Sequence, residues 1–176
     1  MKKFLLLLFV LVSIAELQAQ KLPPVDASPA DYAWLPPNRK DPVARIIYGR
    51  PSKKGRTMLG GVEAYGKVWR LGANEATEVK FLKDVTLGDK TVKAGTYTMY
   101  AIPGETEWTI IVNSKLDTWG AYSYDEKLDV ARVAAPVAKP EKEVESFTIA
   151  FDEPKDNAST MYIAWENTLV KLPIKY

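Results

Sequence analysis

From residue 43 to the C-terminus, apolar residues recur at alternate positions in short runs separated by glycine, proline, asparagine and aspartate. A period of two places successive side chains on opposite faces, as half-buried β-strands require. In ATEVKFL, Thr77, Val79 and Phe81 share one face while Glu78 and Lys80 take the other. EWTIIVNS aligns Trp108, Ile110 and Val112, and EVESFTIAF aligns Phe147, Ile149 and Phe151. VTLGDKTV reads as a hairpin with Gly88-Asp89 in a tight primed turn. GTYTMYAI and EWTIIVNS form a second hairpin around PGET. With ARIIYG, GKVWRLGA, DVARVAAPV, TMYIAWEN and LVKLPIKY, the spacing predicts about ten short strands. No segment carries a helical period, and SYDEKLDV suffices for one turn at most. The expected fold is all-β: a single antiparallel β-sandwich domain of jelly-roll type.

Two segments precede that domain. Residues 1–19 have the pattern of a cleaved export signal: Lys2 and Lys3, the apolar run FLLLLFVLVSIA, and small Ala19 before the cut. The run is shorter than a membrane span needs. The expected product is periplasmic or secreted, without membrane attachment after cleavage. Residues 20–42 contain six of the twelve prolines and read as an extended lead-in. Tyr32 and Trp34 suggest that part of it is pinned to the domain, which spans 43–176.

The chain of 176 residues has no cysteine and no histidine. Packing alone must therefore stabilise the fold, although an exported protein could form disulfides. A Ser-His-Asp triad and the usual zinc, copper, haem and iron–sulfur sites are excluded. Only a hard, oxygen-liganded ion such as calcium fits the inventory, and the acidic spacing matches no EF-hand loop. No cofactor is implied, and acid–base chemistry would rest on carboxylates, lysines or tyrosines. The net charge of +2 argues against nucleic-acid or membrane-surface binding.

Three loop-rich regions remain as candidates. Residues 48–77 hold six of the ten glycines, with Arg50, Lys53, Lys54 and Arg56 packed into seven residues. That is either an anion-binding loop with guanidinium forks or a solvated loop paired with local acids. In GKVWRLGANEAT, Trp69 and Leu71 face the core and Val68 and Arg70 face away, before Asn74 and Glu75 turn the corner. Arg70 with Glu75 is either a structural salt bridge or a carboxylate oriented for a ligand. In DTWGAYSYDEKLD, Trp119, Tyr122 and Tyr124 interleave with Asp117, Asp125, Glu126 and Asp129. Rings beside carboxylates suit a sugar or peptide site, and equally a loop capping the core.

YGRPSKKGR, YGKVWRLGANEAT, AGTYTMYAIPGETEWTIIVN, WGAYSYDEKLDVARV and AWENTLVKLPI, in that order, resemble the domain of unknown function 2911 family. The likeness covers roughly residues 25–176. It implies a compact β-sandwich exported by Gram-negative bacteria, and no reaction. Its recurring motifs correspond to Gly49–Ser52, Gly55-Arg56, Trp69-Arg70, Gly72–Thr77, Trp119–Tyr122 and Trp165–Asn167.

The residues support a binding or accessory module for a small polar ligand, such as a glycan fragment or small acid. Arg50, Arg56 and Arg70 would donate, Asn74, Glu75 and Asp125 would complete the polar set, and Trp119 and Tyr122 would stack. Two other readings stand beside it. One is a glycosidase-like hydrolase with Glu75 and Asp125 as its carboxylate pair. The other is a structural or protein-interaction module.

Overall fold

The computed structural model describes residues 22–176, so the segment expected to be an export signal lies outside the described residues. Eleven strands follow in chain order: β1 (Ala30–Leu35), β2 (Ala44–Gly49), β3 (Thr77–Phe81), β4 (Val85–Leu87), β5 (Lys90–Val92), β6 (Gly95–Ile102), β7 (Glu107–Asn113), β8 (Asp129–Ala138), β9 (Val144–Phe151), β10 (Ala158–Glu166) and β11 (Thr168–Lys175). Among the described residues a single 3-10 turn, Glu126–Leu128, is the one helical element. Among the described residues no helix is long and apolar enough to cross a membrane. The hairpin at Gly88-Asp89 forms as expected, pairing Leu87 with Lys90. β1 arises within the proline-rich lead-in and pairs with β2 along its full length.

The all-β, antiparallel expectation holds. The layering differs from a jelly-roll sandwich. Hydrogen bonds run through one continuous sheet in the order β1-β2-β3-β6-β7-β8-β11-β10-β9, with the β4–β5 hairpin attached to β11. Register shifts at Val112/Asn113 and Ala164/Glu166 sharpen the twist. The sheet thereby curls until its ends meet. Chain leaving β2 makes that closure: Phe147 donates its N–H to Pro51 O (2.8 Å) and Lys53 donates to Glu145 O (3.0 Å). Ser52 and Ser146 form the bridge between these bonds. The result is nearly a barrel.

Its interior is filled by the faces that the alternation marks. Val79, Phe81, Trp108, Ile110, Val112, Phe147 and Ile149 are all buried. At the centre Trp69 stacks on Trp165 (5.8 Å, 13°), with Phe147 (5.1 Å) and Trp108 (5.9 Å) edge-on to Trp69. Trp69 comes from the stretch expected to be a strand over 66–73, yet it pairs only through one bridge to Ala101. Leu71, Asn74 and Gly66 take positive φ there, which stops a ladder from propagating. The side-chain facing survives without the strand: Trp69 and Leu71 are buried, while Val68 and Arg70 are half-buried.

One part of the sheet is buried on both faces. Tyr100 and Ile111 point away from the interior and are still fully buried. The connection from β7 to β8 lies over them like a plate. Tyr100 shares a hydrogen bond with Thr118 (2.8 Å), Thr98 donates to Lys115 O (2.6 Å), and Asn113 donates to Asp125 O (3.0 Å). Tyr124 closes edge-on against Tyr100 at 5.2 Å.

Candidate functional site

That plate meets the Arg70–Thr77 corner edge to edge. The Asn74 carbonyl accepts from Gly120 N–H (3.1 Å) and from Arg70 Nη1 (3.1 Å). Ala76 donates to Thr118 O (2.9 Å), and Glu75 and Trp119 face each other as an antiparallel bridge. Asn74 holds φ +63, a conformation that asparagine tolerates better than most residues. Its amide donates to Asp26 Oδ1 (3.0 Å), tying down the chain before β1. The hydrogen bond from Ser28 N–H, and after it the one from Asn74, lower the Asp26 carboxyl pKa from its ordinary value. Two sequence-distant motifs therefore form one seam, with a cavity on either side.

On the first side is a cleft of about 230 Å3 lined by Ser28, Ala30, Ile47, Tyr48, Gly49, Asn74, Glu75, Ala76, Glu78, Thr98, Asp117 and Thr118. Glu75, Glu78 and Asp117 bring three carboxylates, and no lysine or arginine lines it. Arg45 reaches Glu78 only at 3.4 Å, from outside the lining. Ile47, Ala30 and Ala76 supply apolar wall. Among the described residues no group of three or more carboxylates is spaced to hold a metal ion. The cleft therefore offers separated acceptors rather than a chelate. Trp119, bridged to Glu75, is 57% exposed beside it.

On the second side, a cavity of about 280 Å3 is lined by Glu63, Val68, Trp69, Arg70, Ala121 and Tyr122. Burial pushes the Glu63 carboxyl up, and the Arg70 charge offsets part of that push. An Arg70–Glu75 salt bridge is not made, because the two side chains serve opposite sides of the seam.

The remaining sequence candidates lie elsewhere. Arg50 donates to Asp31 Oδ2 (2.8 Å) and Thr148 Oγ1 (3.1 Å), stitching β1, β2 and β9. Arg56 donates to Lys53 O (2.9 Å) and Ser52 O (3.0 Å), folding back on its own loop. Lys53 pairs with Glu143, which raises its ammonium pKa, and Lys54 N–H donates to Glu145 (2.8 Å). Asp125 caps the 3-10 turn by accepting from Lys127 N–H (3.0 Å), and it does not line the cleft beside Glu75. Arg70, Asn74, Glu75, Trp119 and Tyr122 come together at the seam, whereas Arg50, Arg56 and Asp125 do not join them.

Sequence reasoning placed Asp117 among the acids of a candidate region without singling it out, and it missed Glu78, Thr98 and Glu63 as lining residues. Glu78 carried a signal, since alternation put it on the face opposite the core. Glu63 carried none, because its place depends on how a loop folds over distant strands.

A family model described as a protein of unknown function, DUF2911, matches residues 37–174. The chain belongs to this family. A search of curated proteins and a search of solved structures each return no match. The DUF2911 match takes in the lining of both cavities apart from Ser28 and Ala30, and the closing strands β9–β11 up to residue 174.

Proposed function

We propose that this DUF2911 protein is an exported binding module whose carboxylate-lined cleft holds a small polar ligand rich in hydrogen-bond donors. The observation that carries this reading is the one-sided polarity of the lining. Glu75, Glu78 and Asp117 accept, and Arg45, the cation that reaches Glu78 at 3.4 Å, lies outside the lining. Hydroxyls of a glycan fragment, or an amine, suit such a set, with Ile47 and Ala76 against carbon and the exposed Trp119 joined to Glu75 through the backbone bridge. A small acid fits less well, since the three carboxylates repel it. The pattern of residues 1–19 supports export. A hydrolase acting through Glu75 and Asp125 gains no support, because Asp125 is engaged as a turn cap.

The test is a thermal-shift and NMR titration series with neutral sugars, amino sugars and small carboxylic acids. Sugars or amino sugars should stabilise the protein and shift resonances of Asn74–Ala76 and Asp117–Thr118. Glu75→Gln and Trp119→Ala should each weaken binding about tenfold. Binding of carboxylic acids alone, or binding that both variants leave intact, would overturn the reading.

A further inference from the structure

Arg70 stands apart from the other arginines of the described residues. Arg45, Arg50 and Arg132 each pair with a carboxylate, Arg56 donates to two carbonyls of its own loop, and Arg39 lies over the Trp34 ring at 5.5 Å. Arg70 is half-buried, makes one hydrogen bond, and among the described residues forms no ion pair. A guanidinium carries five N–H donors, so most of its capacity is unused. Glu63 lines the same cavity, also half-buried, and accepts no ion pair from Arg70. Two opposite charges thus face one cavity without touching.

Partly desolvated charges interact more strongly than exposed ones and are costly when left unmatched. A ligand with a carboxylate at one end and an ammonium at the other matches both and adds no net charge. Val68 and Ala121 offer its carbon skeleton apolar contact, with the exposed Tyr122 ring at the rim. The Tyr122 ring is seated directly on Gly120, where a Cβ would come within 2.7 Å of it. Asn74 O fixes the near edge of the guanidinium.

We propose that the Glu63–Arg70 cavity binds a small zwitterion of the amino-acid class, its carboxylate on the Arg70 fork and its ammonium on Glu63. This site is separate from the carboxylate-lined cleft and does not depend on it. The cavity can take only a small molecule, so short members of the class should bind best.

Protein produced from the full sequence is titrated with glycine, alanine and β-alanine, and with acetate and ethylammonium as half-ligands, following Arg70 Nε–H and the amides of Ala121 and Tyr122 by NMR. The zwitterions should saturate these shifts and bind at least about tenfold tighter than either half-ligand. Arg70→Gln and Glu63→Gln should each cost about tenfold for the zwitterions. Glu63→Gln should leave acetate unweakened, a split that a purely structural role would not produce. Glu63→Gln is isosteric and carries the test alone if Arg70→Gln does not fold. Absence of saturation with every zwitterion, equal affinity for acetate and alanine, or unchanged zwitterion binding in either folded variant would overturn the proposal.

Discussion

Between Arg50 and Arg56 the chain packs four cations into seven residues, whereas the corner from Arg70 to Thr77 has one arginine and one glutamate. Charge density favours the first stretch as a binding loop. In the folded chain three of those four cations are engaged: Arg50 and Lys53 meet Asp31 and Glu143, and Arg56 turns back on backbone carbonyls. The stretch serves as the clasp that brings β2 to β9. The corner leaves Arg70 and Glu75 lining cavities without an ion-pair partner among the described residues, and Glu63 of the preceding loop shares the Arg70 cavity. A charge becomes available to a ligand when the fold withholds its partner, and the number of charges nearby says little about that.

The largest expected effect is at the joint between the two regions. A Cβ on Gly49 would sit 2.1 Å from Ala73 O, a backbone atom that Ala73's own hydrogen bond to Gly49 holds in place. Gly49→Ala should therefore cost about 3 kcal/mol by urea unfolding and lower the affinity of the cleft, since Gly49 lines it. A near-neutral result would mean that clasp and corner are not mechanically joined.

Next is Glu166, whose carboxylate accepts from Met58 N–H (2.9 Å) and Leu59 N–H (2.8 Å) and so anchors the loop that follows the clasp. Glu166→Ala should cost about 2 kcal/mol, because two sheltered backbone donors lose a charged acceptor. Glu166→Gln, which keeps one acceptor oxygen, should recover part of the loss.

A paired measurement sharpens the comparison directly. Arg50→Gln removes an ion pair and a side-chain bond across the seam of the barrel and should cost about 1 kcal/mol. Arg70→Gln removes one bond to a carbonyl that keeps Gly120 as donor, and should cost about 0.5 kcal/mol or less. Equal losses would remove the distinction between a structural and an available arginine.

The smallest effect is a pH dependence. Burial raises the Glu63 carboxyl above its ordinary value of 4.5. A carboxyl whose folded pKa is raised binds its proton more tightly in the folded state, so its contribution is fully present below the unfolded pKa. It is lost as pH rises through the folded value. Wild type and Glu63→Gln should therefore differ in stability more at neutral pH than in acid, the variant gaining relative to wild type as pH rises. Parallel stability–pH curves would show that Glu63 is not desolvated.

Much of the strand pattern could be read directly because one-sided burial imprints a period of two. ATEVKF, EWTIIVN and VESFTIAF each put forward the residues that fill the barrel. The corner was legible as a corner, since asparagine and glycine mark positive φ. It was not legible as a pair of cavities. Asp125 looked like a free carboxylate beside aromatics, and only the fold commits it to Lys127 N–H. Glu63 lies in a glycine-rich loop with nothing in its neighbours to suggest burial.

The amino-acid sequence by itself determined the secondary-structure class, the direction most core side chains face and the chemistry that lacks its residues, because these follow from local periodicity and composition. Tertiary structure alone decided that the sheet curls into a near-barrel, that the 117–122 plate zips onto Asn74, and which charges keep a partner. The physical reason is range: alternation is set between neighbouring residues, whereas an ion pair or a cavity wall is set by atoms that meet only after strands far apart in the chain have closed on one another.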